Sequence, residues 1–447
     1  MYVKLIQPRM IKRPMDTELK TRMSPPLGLL TVMNVLRDKH HVRIENENIR
    51  PIEYYDGPDI VGISVTVDTL PRAIEIAAHF RKRGIPVVAG GIHITTAPDT
   101  IPEDAFDALC IGPAELTWPR IVTDYERGQL QPVYRCKGTL TGADIVSPAY
   151  DAIDKQDYLY CNIVHTSRGC PFRCDFCYNS CGSHAYVKRP IDDVLRDIHT
   201  VGRKHIMFID DNFAGDSAWT KKLLHAITPL EIRWNAAVSL NAALDEELLD
   251  LMKRSGCEGL FIGLESVNED SLRDVHKGQN SLDRAERAVY NIHQRGMMVN
   301  ASFVFGLDGD TSDTFRRTLD WIIRHRIETV TSHIMTPYPG TVLYERLKTE
   351  GRILTDDLSL YNTANVVYQP KHMSPEELKA GYLWMYRQIY SFRNILRRMP
   401  KKPDQRAAYL MFNLLYRKFG RFSDWLCRHV GFGRIGWLGE KLSRYLR

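Results

Sequence analysis

The sequence has no long hydrophobic run: no stretch approaches the ~18 uncharged apolar residues that a membrane-spanning helix needs, and the opening MYVKLIQPRMIKRP has too short an apolar stretch for a signal peptide. A cytoplasmic protein without a membrane span is therefore expected. Cysteine is scarce and odd in number, nine in 447 residues, which argues against a disulfide framework and fits a reducing compartment. No second cysteine pair stands at the spacing of a structural zinc site, and no cysteine run repeats as in a two-cluster ferredoxin. Composition is otherwise ordinary, with 44% apolar and 26% charged residues, enough for two or three domains with a sizeable core.

What stands out is the stretch Tyr160–Gly182, YCNIVHTSRGCPFRCDFCYNSCG. Cys170, Cys174 and Cys177 follow C-x3-C-x2-C on a segment that Gly169 and Pro171 mark as a loop. Three thiolates on one loop can hold three irons of a 4Fe–4S cube and leave the fourth open, since soft sulfur ligands select such clusters or zinc. Cys181 would close that fourth iron, so it is read as a bystander near the site, and Cys161 as a buried strand cysteine.

This loop resembles that of the radical S-adenosylmethionine (SAM) enzymes, with Phe176 at their aromatic position. The resemblance implies that the open iron chelates SAM, that the cluster donates one electron, and that a 5′-deoxyadenosyl radical abstracts a substrate hydrogen.

Fold class is expected to be α/β. Residues 1–130 alternate short apolar strands (Met1–Gln7, Val42–Glu45, Asp59–Val67, Pro86–Gly90, Ala108–Ile111) with helices at Pro26–Asp38 and Pro71–Arg83, the pattern of a Rossmann-like doubly wound parallel sheet. Ligands of such sheets sit at the C-terminal strand ends, here Ser64, Val65 and Thr66, and Gly90, Gly91, Ile92 and His93. With the opening Pro26-Leu27-Gly28-Leu29, this domain resembles the cobalamin-binding domain that precedes the radical SAM core in one large subfamily. Ser64, Thr66, Gly90 and Gly91 are the cofactor-binding candidates that follow, and His93 is a weaker one. The D-x-H-x-x-G signature of methionine-synthase-like domains is read as absent from the whole chain.

Residues 131–158 read as a linker. From 159 to 341, candidate strands at Tyr160–Thr166, Lys204–Ile209, Ile232–Ala237, Gly259–Gly263, Val299–Phe305 and Thr329–Met335 fit the partial (β/α)6 barrel that the resemblance implies, with chemistry at the C-terminal strand ends. There stand the Asp210-Asp211-Asn212-Phe213 run found in the cobalamin-binding subfamily, and Glu265, which matches the family position bonding SAM. The Thr336–Thr341 turn matches the subfamily's "P-x-PGT". The resemblance makes Phe176, Tyr178, Asp210 and Glu265 the SAM-side candidates and Tyr338 a catalytic candidate facing substrate.

Residues 342–390 read as a helical extension that caps the substrate pocket, with Ser374 as N-cap. From Ser391 onward stand 14 Lys/Arg against 3 Asp/Glu among many aromatics, a basic amphipathic tail expected to touch a membrane surface. Nucleic acid is not expected, because no reading module accompanies the basic run.

The resemblance points to cobalamin-dependent C-methylation of an unactivated carbon on a small, lipid or polycyclic substrate, with a 4Fe–4S cluster, SAM and cobalamin as cofactors and a flavodoxin- or ferredoxin-like reductant. An oxidative cyclase, a radical SAM enzyme with a vestigial cobalamin domain and a single-cluster electron-transfer protein remain as alternatives. Methylthiotransfer is disfavoured, since only Cys110 and Cys136 precede the core.

Overall fold

The computed structural model describes residues 1–13, 16–136, 138–181, 186–274 and 280–445. Gly182, the end of the cysteine stretch, lies outside the described residues, as do the last two residues of the tail.

The chain builds two parallel six-stranded sheets. The first has the order β2-β1-β3-β4-β5-β6, with β1 Tyr2–Gln7, β2 His41–Asn46, β3 Ile60–Ser64, β4 Val87–Gly90, β5 Ala108–Ile111 and β6 Val133–Arg135. Its central strands are apolar on both faces because helices cover both, and Ile60, Val61, Val87 and Val88 are wholly buried. The order reverses between β1 and β3, which opens a crevice beyond their carboxyl ends. The segment read as a linker is not all linker: β6 pairs parallel with β5 and extends the sheet. Only Tyr134 of its three residues is buried, so the edge strand leaves almost no apolar pattern to read.

The second sheet runs β14-β13-β12-β11-β10-β7: β7 Ile163–Val164, β10 His205–Phe208, β11 Arg233–Val238, β12 Cys257–Glu265, β13 Met298–Phe305 and β14 Thr329–Ile334. All its pairings are parallel, and β7 and β14 are the two edges of an incomplete barrel. A two-stranded antiparallel ribbon, β8 Ser167–Arg168 with β9 Val187–Lys188, lies at the start of the cysteine loop. Along β14 burial alternates: Val330, Ser332 and Ile334 are buried, while Thr329, Thr331 and His333 are half-buried toward the lumen. Contrary to the expected absence, the stretch 197–202 spells D-x-H-x-x-G, but it ends a barrel helix, Ile191–Val201, with Gly202 as its left-handed cap. Asp197 there is bonded to Arg189 at 2.7 Å.

The C-terminal region spans both barrel edges. Tyr390 donates to Val330 O (2.8 Å) and Tyr382 to Ser332 O (3.3 Å), which satisfies acceptors that edge strand β14 leaves open. Arg398, fully buried, donates to Ile327 O (2.7 Å), and Asn413 donates to Glu328 O (3.0 Å). At the β7 side Gly433 N donates to Gln156 O (3.3 Å), and the Arg22 guanidinium lies 4.0 Å from the Phe432 ring centre. Residues 391–445 are thus a series of short helices closed onto the barrel, not one free amphipathic helix.

Candidate functional site: the cysteine loop and the cavity beside it

Cys170, Cys174 and Cys177 lie half-buried on the loop that follows β8. The Asp210–Phe213 run after β10 holds this loop from behind. Asp210 Oδ1 accepts from Thr166 N (2.8 Å), Thr166 Oγ1 (3.0 Å) and Ser167 Oγ (2.7 Å), while its Oδ2 is buried with no protein partner. Burial pushes this carboxyl up to about 6 against those stabilising donors. Asp211 accepts from Gly169 N at 3.2 Å, and Asn212 Nδ2 lies 3.8 Å from Cys170 Sγ. The next helix, Ser217–Ile227, takes its cap from Asp216 instead. Arg168 reaches across to buried Glu115 of the first domain.

The turn 336–341 clamps the loop from the other side. Leu343 N donates to Asp175 O (3.1 Å) and the Cys181 thiol to Gly340 O (3.1 Å). Gly340 has φ +87°, and a Cβ there would overlap Thr96 O of the first domain. Gly91 is required in the same way: at φ +103° its Cβ would stand 2.8 Å from Val65 N and O.

Between these parts opens a cavity of about 280 Å³. The segments after β1 and β3 contribute Arg13, Thr66 and Asp68, the first domain adds His93, the cysteine loop Tyr178, and the barrel Tyr338 and His333. It lies at the crevice predicted by strand order. The Tyr178 and Tyr338 rings meet edge-on, centroids 5.3 Å apart at 65°. Thr66 bonds Asp68 at 2.8 Å, and burial raises the Asp68 carboxyl. Ser64, Gly90 and Gly91 stand behind this lining, at the ends of β3 and β4. His93 Nε2 is engaged by Thr100 Oγ1 at 3.1 Å, and burial pushes its imidazole down to about 4. Phe176 packs against the barrel core instead of the cavity. Glu265 is buried at the end of β12, with φ +67° and a register shift beside it; such strain in a non-glycine residue marks functional sites.

Sequence reasoning missed one assembly. Arg13 Nη1 donates to Thr363 Oγ1 (2.8 Å), and Thr363 Oγ1 lies 3.0 Å from His333 Nδ1. Thr363 is β-branched yet sits at φ +62°. Arg13 Nη1 also lies 3.4 Å from His333 Nδ1; since a guanidinium only donates, that contact makes Nδ1 the acceptor and leaves the proton on Nε2.

The chain matches the radical SAM superfamily over residues 164–322 and the B12 binding domain over residues 22–122. It carries together the two domains that mark the cobalamin-binding class of radical SAM enzymes. A domain of unknown function matches residues 341–408. Similar curated proteins include a bacteriochlorophyllide d C-12(1)-methyltransferase of Chlorobaculum tepidum, 28% identical and covering 89% of each chain. A hopanoid C-2 methylase of Rhodopseudomonas palustris is 29% identical over 74% of this chain and 66% of its own. Among solved structures, the radical SAM methyltransferase TsrM of Kitasatospora setae, with cobalamin and a 4Fe–4S cluster bound, has the same fold at TM-score 0.63 and 19% identity, covering 87% of this chain and 81% of its own.

The cofactors of this class are a 4Fe–4S cluster, SAM and cobalamin. The cysteine loop fits the cluster. Among the described residues no three His, Cys, Asp or Glu side chains gather tightly enough for a single ion, but a cube takes each thiolate on a different iron. The Asn212 amide beside Cys170 is the kind of N–H donor that tunes a cluster sulfur.

Proposed function

We propose that this enzyme C-methylates a small apolar substrate by radical chemistry. The observation that carries the reading is the shared cavity, which brings Tyr178 of the cysteine loop to Thr66 and His93 at the sheet edge of the first domain. When bound, the cluster and SAM supply a 5′-deoxyadenosyl radical, and cobalamin supplies the methyl group.

In this reading Cys170, Cys174 and Cys177 bind the cluster, and the Asp210–Asn212 run fixes their loop. Glu265 accepts hydrogen bonds from the hydroxyls or ammonium of SAM. Thr66 lines the wall against which the corrinoid would rest, and the backbone at Ser64, Gly90 and Gly91 supports that wall from behind. Tyr178 and Tyr338 close the space between the two domains to water, and Tyr338 faces the substrate. The names of the relatives, acting on bacteriochlorophyllide and hopanoid, support an apolar substrate.

The electron donor we propose is a flavodoxin or ferredoxin. No helix among the described residues is long and apolar enough to cross a membrane, and we place the enzyme in the cytoplasm with peripheral contact to a membrane surface.

The test supplies SAM with a deuterated methyl group and the organic-soluble fraction of the host cell. The reading expects 5′-deoxyadenosine together with a labelled, methylated product, both lost in Cys174→Ala. Formation of 5′-deoxyadenosine with an unlabelled, oxidised product would replace methylation by ring-forming oxidation.

A further inference from the structure

The short helices that close the barrel edges carry two unlike faces. The inner face is polar: Arg398 and Asn413 donate to the carbonyls of Ile327 and Glu328, just before β14, and Tyr409 donates to Ile395 O at 2.6 Å. The outer face is apolar and uncovered. Phe392 and Leu396 of helix Phe392–Arg398 are 55% and 65% exposed, and Phe422 and Trp425 of helix Gly420–Val430 are 57% and 53% exposed.

These residues form two ring clusters rather than scattered singles, one of them ending at Phe419, directly before the helix that carries the other. The Phe392 ring lies 6.0 Å from Phe419, with the Lys418 ammonium 4.4 Å from its centre. Phe422 stacks on Trp425 at 5.9 Å, and Trp425 meets His429 at 4.5 Å. Contiguous apolar patches of this kind are rare on soluble monomers unless something covers them.

Charge selects the occupant. Exposed Arg393, Arg397, Arg421 and Arg428 alternate with the rings, and the segment from Ser391 carries 14 basic against 3 acidic residues. Rings at the acyl boundary with cations at the headgroups is the arrangement of a helix lying in an anionic interface. A second copy of this chain would set arginines against arginines on an isologous contact.

We infer that this outer face docks on the surface of an anionic lipid bilayer, so that the helices sealing the gap between β7 and β14 are also the side of the barrel turned to the membrane. The inference rests on the proposed lumenal radical site for its consequence alone: a substrate dissolved in the bilayer meets the enzyme at the barrel's seam. Docking itself needs no cofactor and no turnover.

The experiment is co-sedimentation of the full-length holoenzyme with sucrose-loaded vesicles, phosphatidylglycerol mixed with phosphatidylcholine against phosphatidylcholine alone. The wild type pellets with the anionic vesicles and is released by high salt. The pair Phe422→Ser with Trp425→Ser lowers the bound fraction about tenfold, and Arg393→Glu with Arg397→Glu removes the anionic preference, each with iron content and circular dichroism unchanged. Protein that stays in the supernatant with anionic vesicles would overturn the inference, as would variants that pellet like wild type. A lipid-free dimer that the Phe422 and Trp425 pair abolishes would assign the face to a second copy and overturn it too. Vesicle binding without methyl transfer would sink only the proposed chemistry.

Discussion

The Cys181 thiol donates to the carbonyl oxygen of Gly340 at 3.1 Å. A fourth sulfur, four residues after Cys177, is thereby committed to the 336–341 turn, and burial raises its pKa, which keeps it a thiol. Cys181→Ala should retain the wild-type iron and sulfide content and an unchanged reduced-cluster EPR signal, at a stability cost of about 1 kcal/mol for the lost hydrogen bond. Cys170→Ala, Cys174→Ala and Cys177→Ala should each lose the cluster. Iron loss in Cys181→Ala equal to theirs would make Cys181 a ligand.

Gly340 joins the cysteine loop to the first domain. A side chain at φ +87° pays the left-handed penalty of about 1–2 kcal/mol, and its Cβ also meets the Thr96 carbonyl. Gly340→Ala should lower unfolding free energy by about 3 kcal/mol and lift the turn off the first domain. Denaturant unfolding and retention of cobalamin through gel filtration report the two effects separately. An alanine variant as stable and as well loaded as wild type would show that the domains do not depend on this contact.

The imidazole of His333 is expected to be neutral with its proton on Nε2. Burial, then Arg13, then Arg417 push it down to about 3, while in the unfolded chain it titrates near the ordinary ~6.5. Between those values the unfolded state binds the extra proton. Its contribution to stability is full above about pH 6.5 and is lost as the pH falls toward 3. Nitrogen-15 histidine spectra should show the Nε2–H tautomer unchanged from pH 5.5 to 8, and Thr363→Val should disturb it. An imidazolium signal appearing near pH 6.5 would contradict this geometry.

Asp310 works in the opposite direction. Its carboxyl accepts from Gly306 N (2.9 Å), Leu307 N (3.2 Å) and Ser271 Oγ (2.8 Å), yet burial outweighs these and raises it to about 6. The folded state therefore holds a proton that the unfolded carboxyl, near ~3.9, has lost. This group's contribution falls as the pH rises from about 4 to 6 and is flat above. It opposes His333 over that window. Stability profiles of Asp310→Asn and His333→Phe should consequently diverge below pH 6, the first losing stability with acid more steeply than wild type and the second less. Parallel profiles would refute both assignments.

Much of this was legible because the signals are local. The cysteine spacing, the apolar runs of β1, β3, β4 and β5, and the six barrel strands each declare themselves within ten residues. What stayed hidden depends on distant pairs of ordinary residues. Asn212 reaching Cys170, Arg168 reaching Glu115 and Arg13 meeting Thr363 and His333 leave no local pattern. The packing of the basic tail was hidden for a related reason. Arg398 and Asn413 look like solvated polar residues in sequence, yet bury completely against the carbonyls of Ile327 and Glu328 just before β14. The stretch at Tyr160–Thr166 was read too long, since only Ile163–Val164 pairs with β10 before the chain turns into the ribbon.

The central proposal is that one chain binds both the cluster, on the cysteine loop beside the shared cavity, and the corrinoid, at the first-domain sheet edge that lines it. The most direct measurement is cobalamin, iron and sulfide content after anaerobic purification from cells supplied with cobalamin. The account predicts about one cobalamin per chain beside a full 4Fe–4S complement. A full cluster with no cobalamin would contradict it and leave the first domain without its assigned cofactor.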